Sequence, residues 1–564
     1  MSNLTDKLAH DFSMATVTAE TAGKTCIKID NANWPALAKA LHAGIEAGKP
    51  MDYLITVVGM DWGEKLGCVY EMTSSKDKDA HIIEVTVEAD GDRAKPHMHS
   101  VADLWDIAVI YEREVYDFFG IIFIGNPDMR RLFLNIDWKG YPLRKDYDDN
   151  PELNPVSTES ERQTDFTEVY SLDDKGQVVC TEKRIFEEKD FVINIGPQHP
   201  ATHGVLRFRT CVDGEDIKKI DVYMGYIHRG VEKLCENLTY PQTLHYMDRL
   251  DYFSAHNYHH GLCMTIEKAA GIEVPRRAQI IRVLMDELSR IASHCLFAGT
   301  YCMDLGATTM LFYTLRVREQ VLDIMEKTCG ARMTFNYDVI GGVMQELAPD
   351  FVSDVRALLD VLPRNLKEYN KIFTGNVIAR NRMEGVGYLS HEDALTWGIT
   401  GPSGRASGWA CDIRKWRPYS IYPELDFEEV IAHEGDSMAR FKCRLKEIEE
   451  SAKIIEQCLT KLADLEAKAA AGDEEAKAQN VICAKVPRVL KLPQGHWFEV
   501  VEGCRGVFGI YIESDGNTKP YRLKIVPPCL NLAAVVDHIT RGQKIADLIT
   551  IGGSLDYIVP DMDR

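Results

Sequence analysis

Between residues 24 and 147 apolar and polar positions alternate in short runs, as in MDYLITVVGMDW and HIIEVTVEAD. A period of two sends successive side chains to opposite faces of a strand, so this region predicts the sheet of an α+β unit. The run VADLWDIAVIYEREVYDFFGI changes period: Leu104, Ile107, Ala108, Tyr111, Val115 and Phe118 fall on one face of a helix. Residues 148–187 open with DDNPELNPVSTESERQTD, polar and proline-bearing, and read as a linker. Inside it, TEVYSLDDKGQVVCTEKRIF predicts a hairpin with Asp-Lys-Gly at the turn.

From Phe191 the pattern shifts again. A strand-rich start, FVINIGPQHPATHGVLRFRTCV, gives way to long helical segments. In PRRAQIIRVLMDELSRIASHCLF, Pro275 suits a first helical turn, and Ile280, Leu284, Leu288, Ile291 and Cys295 mark the apolar stripe. A second long helix, with many exposed charges, is expected from about Asp436 to Lys468, and AKAAAGDEEAKAQ reads as a solvated helix end or loop. The last eighty residues return to strand-like runs: HWFEVVEG, VFGIYIES and YRLKIVPP. The best membrane-span candidate, His294 to Leu315, carries Asp304 at its centre and is interrupted by Gly299 and Gly306, so a buried helix is expected instead.

Charge and cysteine usage narrow the function classes. The 564 residues carry 86 acidic against 65 basic side chains, a formal net charge of -21. With no long Lys/Arg block to outweigh that mean, nucleic-acid binding is not expected. The amino-terminal MSNLTDKLAHDF lacks a secretory pattern. The 15 cysteines are scattered and read as reduced, packed thiols. There is no Gly-x-Gly-x-x-Gly opening a helix, no phosphate loop and no Cys-x-x-Cys, so neither a nucleotide nor an iron–sulfur cluster is expected on this chain.

Four segments hold candidate chemistry. Gly196 to Gly204 contains His199 and His203 in a stretch whose prolines and glycines force a turn. Two readings stand side by side: a structural turn, or imidazoles presented to a cavity. In Tyr246 to Tyr252, a helix would place Asp248 and Tyr252 one turn apart. The alternatives are an internal ion pair of acid with Arg249, or a phenol aimed into a polar cavity. Asp304, inside an apolar stretch, either caps a helix that breaks at Leu305-Gly306 or has a partner, for which a histidine is the natural candidate; the residues alone slightly favour the cap. His256, His259 and His260 have spacings that suit a metal, but without other ligands nearby they read as packed histidines.

Taken together, these segments resemble the C and D subunits of bacterial respiratory complex I, the proton-pumping NADH:quinone oxidoreductase. The resemblance to the C subunit rests on Tyr111 to Ile121, on Asn126-Pro-Asp-Met-Arg-Arg131 and on Gly140 to Asp146, with Asn126 and Tyr141 standing where that family usually has histidines. The resemblance to the D subunit runs from Gly196 to Arg209 through Ile227 to Leu234, Asp248 to Tyr252, Pro275 to Gln279, Met303 to Ala307, Gly330 to Met333, Arg405 to Gly408, Ser514 to Gly516, Gly553 to Asp556 and Met562 to Arg564. Cys411, Val507 and Gly404 depart from it. Nickel–iron hydrogenase large subunits share the fold, but they hold their metals with two Cys-x-x-Cys pairs. Here the early position reads Arg249 to Ala255 and the late one Leu555 to Asp561, without a cysteine.

The resemblance implies an α+β class: a small α+β amino-terminal domain (1–147), a linker (148–187), and a large, mainly helical domain of the nickel–iron hydrogenase large-subunit type with peripheral β-sheets (188–564). It implies a quinone headgroup pocket, for ubiquinone or menaquinone, in which His203 and Tyr252 donate hydrogen bonds to the carbonyls and Asp304 pairs with His203. His199, Arg229 and Arg249 would lie near the terminal iron–sulfur cluster of a neighbouring subunit. It also implies that this chain binds no metal, and that iron–sulfur clusters and FMN reside on partner subunits. The partners implied are the iron–sulfur B subunit, the I, G, E and F subunits, and the H subunit in the membrane. The location implied is peripheral, on the cytoplasmic side of the bacterial inner membrane. Alternatives are the same module fed by ferredoxin or another donor, and an assembly scaffold that never touches quinone.

Overall fold

The computed structural model describes residues 7–8, 12–21, 23–45, 48–77, 79–150, 152, 164–198 and 204–564. Strands β1 (Thr16–Thr21), β2 (Lys24–Asp30), β3 (Tyr53–Asp61), β4 (Leu66–Thr73) and β5 (Ile82–Glu88) form one sheet in the order β1-β2-β5-β4-β3. Only β2 and β5 run parallel. Helix α1 (Trp34–Ala43) follows β2, and α2 (Ala108–Phe119) packs on β3. The expected face of α2 is buried at Tyr111, Val115 and Phe118, but so are Glu112, Arg113, Glu114 and Asp117. Buried charges survive only when paired, and here they are: Asp117 accepts from the amides of Leu132, Phe133 and Leu134, while Arg113 faces Asp128 at 3.2 Å.

The hairpin expected near residue 175 forms, with β6 (Phe166–Leu172) and β7 (Val178–Arg184) antiparallel. Strands β8 (Phe191–Ile195), β9 (Arg207–Asp213) and β10 (Asp216–Tyr223) make a three-stranded sheet. Helices then dominate: α3 (Tyr240–Met247), α4 (Ala255–Ala270), α5 (Arg276–Asp304), α6 (Thr308–Cys329), α7 (Phe351–Tyr369) and α8 (Ser437–Ala470). Asp436 caps α8 by accepting from the Ala439 amide at 2.8 Å. The three strands expected near the end are β11 (Gln494–Glu502), β12 (Val507–Asp515) and β13 (Arg522–Val526), followed by α9 (Ile545–Leu555) and α10 (Val559–Asp563).

The stretch from His294 to Leu315, expected as one buried helix, resolves into two, with α5 ending at Asp304 and α6 starting at Thr308. Among the described residues no helix is long and apolar enough to cross a membrane. Helix α5 is instead the centre of the helical part, packed against both α6 and α8. Its Arg282, Glu287 and Arg290 are buried as well as its apolar stripe. Glu287 gathers Arg290, Arg414, the Tyr422 hydroxyl at 2.7 Å and the Ser451 hydroxyl at 2.6 Å.

The amino-terminal sheet does not stand apart from this assembly. Tyr53 packs edge-on against Trp409 with centroids 5.0 Å apart, and the Tyr111 hydroxyl donates to Asn531 Oδ1 at 3.0 Å. Buried Glu114 pairs with both Lys524 and Arg564, and Arg564 reaches on to Glu232 at 2.9 Å. A continuous hydrophobic core joins residues from both halves.

Candidate functional site

Tyr252 lies in the turn between α3 and α4, because α3 ends at Met247. The shared helix face expected for Asp248 and Tyr252 therefore does not form. Nor does Asp248 pair with Arg249: it is fully buried and faces the His259 ring on α4. A buried carboxylate takes the cation or donor that is buried with it, and Arg249 is exposed. The Tyr252 ring, half-buried, meets Phe253 edge-on at 4.3 Å. Burial raises its phenol pKa, with the Arg505 charge opposing, so the hydroxyl keeps its proton at neutral pH.

Directly behind the phenol is a buried charge cluster. Asp251 accepts from Arg505 Nη1 at 2.8 Å and from the Phe253 amide at 3.2 Å. Arg505 also reaches Asp556 Oδ1 at 3.2 Å, the Asp556 carbonyl at 2.7 Å and Ser293 Oγ at 3.1 Å. Arg444 Nε lies 3.7 Å from Asp556 Oδ2, and its other nitrogens donate to the Ser554 and Leu555 carbonyls. Two guanidiniums thus face two carboxylates, and together they pin the chain reversal after α9. Asp556 occupies a left-handed conformation there (φ 61°), which a short polar side chain tolerates. Nearby, Asp561 accepts from the Tyr258 hydroxyl at 2.8 Å and the Cys529 amide at 3.2 Å. Burial and then the Asp251 charge push its carboxyl up to about 7.

Asp304 ends α5, half-buried, and Gly306 (φ 88°) turns the chain towards α6. Its Oδ2 would lie 3.9 Å from a Cβ placed on Gly553. Burial, and then the Asp304 charge, raise the Tyr557 hydroxyl well above its ordinary range. Asp304 thus borders the segment Gly553 to Tyr557, and the charge of Asp556 in that segment acts on the Tyr252 phenol. His199 and His203 lie outside the described residues. Gly204, which is described, packs so closely on Val559 that a Cβ would meet its Cγ2 at 2.4 Å.

The structure brings Arg229 and Arg249 together at the surface. Arg229 Nη2 donates to the Arg249 carbonyl at 2.7 Å, and Arg249 donates to the His245 carbonyl. The loop carrying Arg229 is anchored by Asp563, whose carboxylate accepts from the Gly225 amide at 2.7 Å and the Ile227 amide at 3.1 Å. His228 Nδ1 donates to the Asp563 carbonyl at 2.6 Å, and its ring stacks with Phe118 and Phe133.

The three histidines of α4 diverge to separate surroundings, as the packed reading expects. His259 meets Asp248, His260 Nδ1 lies 2.7 Å from Asp286, and His256 stacks on Phe335. Burial, then the neighbouring His259 charge, lowers the His256 pKa to about 3, so that ring is neutral. Sequence reasoning missed Asp251, Arg505, Asp556 and Asp561 as members of the centre. The available signal was that three of them, Asp251, Asp556 and Asp561, sit in the two segments that the resemblance sets against the cysteine pairs of hydrogenases.

Two family models place the chain in a class of respiratory-chain proteins. Residues 27–152 match the 30 Kd subunit of respiratory-chain NADH dehydrogenase, and residues 304–564 match its 49 Kd subunit. The C/D subunit of the Phocaeicola vulgatus NADH-quinone oxidoreductase is 50% identical over 521 residues, covering 92% of this chain and 96% of that protein. The corresponding C/D subunit of Nitrosospira multiformis is 38% identical over 83% of this chain and 78% of its own length. The D subunit of the Clostridium beijerinckii NADH-quinone oxidoreductase is 43% identical over 68% of this chain and 99% of its own length. The chain belongs to the C/D subunit family of NADH-quinone oxidoreductases.

Proposed function

We propose that this chain is the peripheral-arm subunit of a proton-pumping NADH:quinone oxidoreductase that forms the quinone headgroup pocket and supplies protons to the reduced quinone. Residues 1–147 serve as the C part and 188–564 as the D part, of the hydrogenase large-subunit type, with 148–187 linking them. The observation that carries the reading is Tyr252: a half-buried, protonated phenol on a rigid turn, backed by a closed charge cluster. Further support is convergence, since Asp304 and Gly204, the residue after His203, both abut the segment from Gly553 to Val559.

Reduction of a quinone to a quinol takes two electrons and two protons. An iron–sulfur cluster on a neighbouring subunit would supply the electrons, with His199 and the exposed Arg229 and Arg249 as the residues of this chain that would lie nearest it. As charge develops on the two carbonyl oxygens, the Tyr252 hydroxyl and the His203 imidazole each donate a proton. Asp304 orients His203 and favours its protonated form. FMN and the clusters belong to partners: the B, I, G, E and F subunits, with the H subunit in the membrane, at the cytoplasmic face of the inner membrane.

Tyr252→Phe tests this reading in the assembled complex. General acid catalysis contributes about 10²–10⁴-fold, so NADH-driven quinone reduction should fall at least about 100-fold while the partner subunits still co-purify. Normal turnover would favour the scaffold reading. A complex that assembles, reduces quinone with an artificial donor and ignores NADH would point to ferredoxin or another source of electrons.

A further inference from the structure

Cys26, Glu84 and His496 are remote in sequence and meet between two sheets. Cys26 and Glu84 are register partners on the parallel strands β2 and β5, so their side chains leave the sheet on the same face. His496, on β11, approaches that face and places Nε2 3.0 Å from Glu84 Oε1. One ligand atom of each residue, a thiol sulfur, a carboxylate oxygen and an imidazole nitrogen, lies within 4.8 Å of the other two. Cys26 and Glu84 are buried, whereas His496 is exposed and borders a cavity of about 460 Å³ shared with Glu88, Tyr511 and Glu513.

We propose that these three residues bind a divalent transition-metal ion of the zinc type, clamping the carboxy-terminal sheet onto the amino-terminal one. The donor set decides the class of ion. Thiolate with imidazole and carboxylate suits zinc and its neighbours, whereas magnesium and calcium take oxygen ligands. Three protein ligands leave a fourth position, which the cavity can fill with water or a further side chain.

The competing account is a closed ion cluster. Lys24 Nζ lies 2.8 Å from Glu71 Oε1 and 2.7 Å from Glu84 Oε2. In the metal-free chain Glu84 is shared by Lys24 and His496. A dication engages the same three donors, Cys26, Glu84 and His496, and displaces the Cys26 thiol proton. Lys24 occupies Glu84 Oε2 and leaves Oε1 towards His496. None of these residues belongs to the quinone centre, so the metal site stands or falls separately from the proposed function.

Cobalt reports directly on a cysteine ligand. The metal-free full-length chain, with the exposed thiols Cys180 and Cys483 replaced by serine, is titrated with Co²⁺ and followed by absorption. The expected result is one Co²⁺ per chain, a sulfur-to-cobalt charge-transfer band, and one-for-one displacement by Zn²⁺. Cys26→Ser should abolish the band, and His496→Gln should weaken binding at least about ten-fold. No charge-transfer band in the parent, or a band that survives Cys26→Ser, overturns the site. Should Cys26→Ser fail to fold, His496→Gln at the exposed edge decides, and undiminished affinity there overturns it equally.

Discussion

Arg505 is the side chain on which the rigidity of the Tyr252 turn depends, and Arg505→Met removes its charge while keeping most of its apolar length. Only 1% of the Arg505 side chain is exposed, with 0% for Asp251 and 5% for Asp556. In the native cluster two carboxylates face Arg505 and Arg444. After the substitution Asp251 has lost its guanidinium, and the Asp556 carbonyl and Ser293 hydroxyl have lost a donor. Breaking a buried ion pair on one side costs about 3–5 kcal/mol. Burial already raises the Asp251 pKa, against the opposing Arg505 charge, and proton uptake sets the ceiling on the loss. At about 1.4 kcal/mol per factor of ten, local opening should become about 10²–10⁴ times more frequent. Hydrogen exchange of the full-length chain measures this as lost protection in peptides spanning 249–258 and 553–559, with the β2 to β5 sheet unchanged. Adding Asp251→Asn should restore more than half of the protection by removing the stranded charge. Unchanged protection in Arg505→Met, or no recovery in the double variant, would refute the cluster as the support of the turn.

Three further outcomes are expected. Asp304→Asn should lower NADH-driven quinone reduction without loss of assembly, and normal turnover would remove Asp304 from the proton pathway. Asp561 has a folded pKa of about 7 against about 3.9 unfolded. Its stabilising contribution is complete below pH 4 and is lost as pH rises through 7, by up to about 4 kcal/mol. Asp561→Asn should therefore flatten the decline of the thermal midpoint between pH 4 and 7, and parallel curves would contradict that. Gly225 has φ 92°, and a Cβ there would lie 2.3 Å from the Phe133 carbonyl oxygen. Gly225→Ala should destabilise the loop carrying Arg229 by more than about 1 kcal/mol, seen as faster exchange over 225–230; native exchange would contradict it.

Local pattern made much of the fold legible. The Pro275 start, the stripe down α5 and the break at Leu305-Gly306 all appear in the structure, as do the Asp436 cap, the hairpin around Lys175 and the three strands near the end. These features depend on neighbours a few residues apart. Periodicity was least informative where charge is buried. Arg282, Glu287 and Arg290 look like the solvated side of an amphipathic α5, yet each is buried against an opposite charge or a carbonyl. The Asp248–Tyr252 helix face failed for a related reason: the pairing of Asp248 with His259 is a contact between α3's end and α4 that spacing does not encode. Asp251, Arg505 and Asp556 come from three distant segments, as do Cys26, Glu84 and His496. Such constellations exist only after folding; local residue types singled out Tyr252 and Asp304, and the family resemblance favoured the pocket reading over the ion pair and the cap.

The most direct test of the central claim is a structure of the assembled complex with quinone bound. The account predicts one headgroup carbonyl within about 2.7–3.0 Å of the Tyr252 hydroxyl, with His203 at the headgroup and paired to Asp304. A headgroup seated away from Tyr252, or a Tyr252 hydroxyl closed off by a partner subunit, would contradict it.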